Sequence, residues 1–216
     1  MNLRKKIILM ESMKKDFYGR PVSGPEENLE ALQSIKLPKN ILKPYQKELN
    51  GILFKAFDFH RVNNVDAFVS MKYMYIHPRV NTPHLIKQVI VHELCHVLYD
   101  AMPEMFNDGE IINEFSERRI ELHRRLVKMG HNKHPVQFFM YVKYRADFDT
   151  MLHVEIPENE MRVAIKGLFP SIYSAVSFEE YWAVLFEEFF ENSDFVKRIS
   201  PRVYNKIFEI LEECNE

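Results

Sequence analysis

Two histidines flank a glutamate in the run VIVHELCHVLYD, residues 89–100, with the spacing H-E-x-x-H. On a helix, positions i and i+4 project from one face, so His92 and His96 can turn both imidazoles toward a single zinc ion. Glu93 lies about 100° around the helix from His92, beside such a metal rather than among its ligands. From there a carboxylate can take a proton from a zinc-bound water whose acidity the metal has raised. The imidazoles must be neutral to ligate, and near pH 7 they can be. The competing reading is two core histidines with a solvated glutamate. The apolar neighbours Val89, Val91, Leu94, Val97 and Leu98 favour the metal site, because a surface helix with chance histidines has no need of them.

A third ligand must come from elsewhere. The extended pattern H-E-x-x-H-x-x-G-x-x-H is excluded, since its later positions are Tyr99 and Met102. Two downstream candidates remain. Glu114 and Glu117 stand in EIINEFSERRIELH, at a distance comparable to that of the glutamate in thermolysin-like peptidases. The alternative for them is a charged helix face. Glu180 opens a strongly apolar helix in SFEEYWAVLFEEFF, but Ser177 to Glu180 also reads as a capping box whose glutamate bonds a backbone N–H. Composition alone favours neither. Asp100, four residues past His96, either orients a ligand imidazole or is an exposed helix-end aspartate. Cys95 reads as a small core residue, and His131 and His134 as solvated loop histidines rather than a second metal site.

The elements that must position these groups follow from pattern. The run ILFKAFDF, residues 52–59, reads as a buried strand ending near His60, followed by a turn at Asn63-Asn64 and one or two strands over 67–76. Thr82 and Pro83 predict the start of a helix that carries the motif and stops before Pro103. Further helices are expected over 108–129, closed by Gly130, over 178–192 and over 201–214, with 135–149 a possible helical stretch. Residues 1–50 read as a peripheral, mostly helical segment interrupted at Arg20–Pro25. The expected class is α+β: a mostly helical body with a small sheet beside the H-E-x-x-H helix.

At 216 residues the chain can bury a sizeable core. A net charge of −2 argues against a general nucleic-acid binder. The two cysteines, Cys95 and Cys214, do not make a disulfide framework and suit a reducing compartment. The apolar stretch near the N-terminus is too short for a signal peptide, and no run is long enough for a membrane span. A cytoplasmic location is expected, with unconventional export left open.

HELCH followed by Tyr173 and then, seven residues on, by Glu180 in E-Y-W-A-x-x-F resembles the zinc peptidases related to the anthrax toxin lethal factor catalytic domain. That group includes the Pro-Pro endopeptidases. The resemblance covers roughly residues 52–211 and implies a zincin-like domain over 51–216 that hydrolyses peptide bonds with one Zn2+ per chain. It implies His92, His96 and Glu180 as ligands, Glu93 as general base, and Tyr173 as donor to the oxyanion that develops on the attacked carbonyl. Val184 stands where the family often has a second glutamate. Glu180 stands 84 residues past His96, which implies an insertion at about 130–166. Met71–Ile76 is the expected strand for adding a substrate peptide. The six acidic and no basic residues between Ser171 and Val196 would favour a basic peptide if they line the cleft. The alternatives are a peptidase that uses Glu114 or Glu117, and an inactive zincin-fold binding or regulatory protein.

Overall fold

A computed structural model describes residues 14–15, 21–37, 47–55 and 66–214. The expected turn at Asn63-Asn64 and the strand end near His60 lie outside the described residues. Two compact units are present, residues 1–97 with 211–216, and residues 98–210.

The first unit is built on a five-stranded sheet of order β1-β2-β3-β5-β4. Its strands are β1 (Lys14–Lys15), β2 (Pro21–Ser23), β3 (Gly51–Phe54), β4 (Ala67–Ser70) and β5 (Tyr73–Ile76). β2, β3 and β5 run parallel, while β1 and β4 pair antiparallel to β2 and β5. β4 and β5 form a hairpin whose two turn residues, Met71 (φ 50°) and Lys72 (φ 63°), are left-handed, as a two-residue hairpin turn with the right-handed strand twist requires. Gly24 follows β2 so closely over Phe54 that a Cβ there would lie 2.5 Å from the Phe54 Cβ.

Helix α1 (Glu26–Ser34) is tied to the loop after β5 by Asn28, whose buried amide donates to the carbonyls of Val80 at 2.7 Å and Pro78 at 3.2 Å. Ile52, Met74 and Ile76 from the sheet, Leu29 and Leu32 from α1, and Ile86, Ile90 and Leu94 from the next helix are all buried. That helix, α2 (Pro83–Ala101), begins where Thr82 Oγ1 accepts from the Leu85 N–H at 3.3 Å and ends before Pro103, as the sequence predicts.

The described part of residues 1–50 supplies two strands and one helix, and β2 pairs with β3. One expectation needs correction here. Met71–Ile76 is not an open edge for a substrate peptide, because β5 is paired on both sides, with β3 and with β4. The terminal strand beside it is β4.

The second unit is helical. α3 (Pro103–Phe106) leads to α4 (Gly109–Lys128), capped by Asp108, whose side chain accepts from the N–H groups of Glu110 and Ile111. Gly130 (φ 97°) closes it in the left-handed region. The region read as an insertion holds α5 (Val136–Met140), α6 (Ala146–Thr150), a π-helical turn (Met151–Glu155) and α7 (Glu158–Ile165). α5 and α7 pack on α4. A 3-10 turn (Tyr173–Ala175) packs on α8 (Phe178–Ile199). α8 breaks at Asn192 (φ −150°), where the Asn192 side chain accepts from the Phe195 N–H and caps the continuation. α9 (Pro201–Glu213) follows.

Aromatic rings form the centre of this unit. Phe115 meets Phe169, Phe178 and Tyr181 at centroid separations of 5.2–5.8 Å, and Trp182 meets Phe106 edge-on at 5.0 Å. Among the described residues no helix is long and apolar enough to cross a membrane.

Candidate metal centre

The motif lies wholly within α2, where Val91, Leu94, Cys95 and Leu98 are buried. His92 and His96 stand one turn apart on their shared face, half-buried, with ring centroids 5.1 Å apart and planes at 69°. Glu93, next on the helix, is buried at 9% exposure.

Glu180 sits in the first turn of α8, and its position is set twice. Ser177 Oγ accepts from its backbone N–H at 3.2 Å, which fixes where the helix begins. The neighbours Tyr181, Trp182 and Leu185 are fully buried and fix the helix's rotation. The capping half of the Ser177–Glu180 reading therefore exists in the Ser177 side chain.

His92, His96 and Glu180 form the one group of three or more His, Cys, Asp or Glu side chains, among the described residues, suited to hold a metal ion. Each offers a ligand atom, and these lie within 4.8 Å of one another. Donors on a tetrahedral zinc at about 2.0–2.2 Å sit roughly 3.5 Å apart. Two imidazoles and one carboxylate are a zinc-type donor set that leaves one position open.

The near candidates for third ligand have other places. Glu114 Oε1 accepts from Ser200 Oγ at 2.6 Å, Arg118 Nη2 at 2.8 Å and the Tyr181 hydroxyl at 3.2 Å. Arg118 also donates to the carbonyls of Leu168 and Ile199. This half-buried network joins α4 to α8 and its end. Burial, the first cause, pushes the Tyr181 phenol well above its ordinary range. Glu117 is exposed on α4. Asp100 is exposed near the end of α2, which fits the helix-end reading and not the imidazole-orienting one. His131 and His134 pair separately, with Glu160 at 2.8 Å and Glu155 at 2.9 Å. Cys95 and Cys214 are both buried.

Tyr173 is 39% exposed, so it is not a packed core tyrosine. It lines a cleft of about 670 Å³ in the helical unit, within the usual range for ligand pockets, roughly 300–1,000 Å³. None of the six acidic residues between Ser171 and Val196 lines this cleft; its charged residues are His153, Glu158, Arg162 and Lys166.

One arrangement escaped the sequence reading. Asp149, 3% exposed, accepts from Nδ1 of His153 at 2.7 Å and from the Tyr144 hydroxyl at 3.2 Å. The hydrogen bond to Asp149 is the main cause that raises the His153 pKa above its ordinary value, against a smaller opposing effect of burial. Burial first, then Asp149, raises the Tyr144 phenol, and the charge of Glu180 adds to the shift. The Glu180 carboxylate thus lies within electrostatic reach of this network. The signal in the sequence was the i, i+4 interval of Asp149 and His153, on a stretch with no clear helical periodicity.

Comparison with protein-family models, with curated proteins and with solved structures finds no match.

Proposed function

We propose that this chain is a zinc-dependent endopeptidase, with His92, His96 and Glu180 as the metal ligands, and that it is kin to the lethal factor-like peptidases its motifs resemble. The observation that carries the proposal is the gathering of those three ligand atoms within 4.8 Å, although Glu180 lies 84 residues beyond His96 (180 − 96). A zinc ion bound there supplies Lewis acidity and a water that deprotonates near neutral pH.

The chain's own groups do the rest. Glu93, adjacent to a ligand on α2, accepts the proton of the attacking water and delivers it to the departing amine. Tyr173 donates its phenolic hydrogen to the negative charge that develops on the attacked carbonyl oxygen, an interaction worth on the order of 3 kcal/mol. Glu114, held by three donors, serves the packing of α4 against α8 and not the metal.

Digestion of a peptide library with the purified protein, with and without chelator, tests the reading. Cleavage that stops with chelator and returns with zinc is expected. Glu93→Gln should lower the rate by at least about a hundredfold while zinc content is unchanged. A Glu93→Gln protein as active as the native one would falsify the assignment of the base. A native protein that binds zinc but cuts no peptide would instead favour a binding module.

A further inference from the structure

The cleft beside Tyr173 has an apolar floor made by Leu152, Phe169, Phe195 and Ile199. Tyr173 and His153 also line it. His153 is on the π-helical turn, a local widening that recurs at functional sites. Asp149 is on the preceding α6, and its side chain, only 4% exposed, takes Nδ1 of an imidazole that is itself 28% exposed. A buried carboxylate on one ring nitrogen fixes the proton there and fixes the ring's direction. The other nitrogen, Nε2, has no hydrogen-bond partner among the described residues. The remaining charges at the cleft are Arg162 and Lys166 against one acid, Glu158, which pairs with Arg162 at 2.6 Å.

We propose that His153 is a substrate-positioning residue: held by Asp149 as the doubly protonated ring, in which both nitrogens carry a hydrogen, it donates from Nε2 to an acceptor oxygen of a bound peptide whose large apolar side chain fills the cleft beside Tyr173. The apolar floor favours a phenylalanine- or leucine-sized group, and the excess of basic groups disfavours a lysine or arginine there. The second oxygen of Asp149 accepts from Tyr144. The inference rests on the peptidase reading only in taking the ligand to be a peptide. It gives the inserted segment a task, that of supplying one wall of the substrate cleft.

The test is peptide binding to the full-length, zinc-loaded Glu93→Gln protein, in which turnover is blocked. Three acetylated, amidated pentapeptides serve as probes: Ala-Ala-Phe-Glu-Ala, the same with Gln for Glu, and the same with Lys for Phe. Dissociation constants come from titrations followed by NMR of the histidine side chains. Both phenylalanine peptides are expected to bind at least tenfold more tightly than the lysine peptide and to shift the His153 resonances. His153→Ala should weaken them at least fivefold, and His153→Gln, which keeps an N–H donor, should restore most of the loss. Phe195→Trp, which narrows the cleft without touching Asp149, should also weaken them at least fivefold.

If the Glu peptide binds more tightly than the Gln peptide, the acceptor is a side-chain carboxylate; if they bind alike, it is a backbone carbonyl. Equal binding of phenylalanine and lysine peptides, or full binding by His153→Ala, overturns the proposal. Binding that depends on His153, in a protein whose native form cuts no peptide, would sink the peptidase reading and leave this one standing. Hydrolysis indifferent to His153 would do the reverse.

Discussion

Asp149 and His153 form a carboxylate–imidazole pair with one buried and one partly open member, and the hydrogen bond between them favours the protonated ring. The folded-state pKa of His153 therefore lies above its ordinary value. The pair's contribution to stability is fully present below that ordinary value, and it is lost as the pH rises through the raised one. An NMR titration of the histidine side chains should show His153 with a midpoint above that of an exposed histidine. Asp149→Asn should bring it down to or below the ordinary value, since burial alone lowers it. A His153 midpoint unmoved by Asp149→Asn would contradict the pairing. The same one-turn interval made His92 and His96 legible from sequence, because they sit in a long apolar helix with a clear cap. Asp149 and His153 were not, because their interval spans a junction between a short helix and a π-helical turn that no periodicity announces.

Among the elements, α4 and α8 pack through the Phe115, Phe178 and Tyr181 rings and share a polar contact centred on one carboxylate oxygen. Glu114 Oε1 accepts from Ser200, Arg118 and Tyr181, and removing it leaves those donors short of a partner in a half-buried place. Glu114→Ala should cost on the order of 2–3 kcal/mol in urea-induced unfolding while leaving zinc content unchanged. A loss of zinc with no loss of stability would return Glu114 to the ligand set. The helices α2, α4, α8 and α9 were legible because each carries its own start or stop: Thr82 with Pro83, Asp108 with Gly130, Ser177, and Pro201. The 135–149 stretch was only half legible. It folds as two short helices with extended backbone at Tyr141 and Arg145 between them, and nothing in its composition marks that break. β1 and β2 were missed for a different reason. They are two and three residues long, and β2 exists by pairing with β3 about thirty residues on, a non-local bond that no local pattern encodes.

Over the whole molecule, the division into compact units falls after Val97, inside α2, whereas the composition changes near residue 50. Composition tracks the switch from strand-rich to helix-rich sequence, whereas a compact unit is decided by which segments pack together. The candidate third ligand, Glu180, belongs to this scale too: its distance from the motif could be read only through the resemblance, since spacing and capping chemistry left Glu114, Glu117 and Glu180 open. A metal that binds the folded chain and not the unfolded one adds stability by mass action, about 2.7 kcal/mol at a hundredfold excess over its dissociation constant. The melting temperature should accordingly rise with added zinc and fall with chelator, as read by calorimetry. A melting temperature indifferent to both would argue that no ion binds the folded state. The most direct measurement is the zinc content, by inductively coupled plasma mass spectrometry, of the native, Glu180→Ala and Glu114→Ala proteins after zinc loading and gel filtration. About one zinc per chain is expected in the native and Glu114→Ala proteins, with most of it lost from Glu180→Ala. A Glu180→Ala protein that keeps its full zinc, or a native protein that takes up none, would contradict the account.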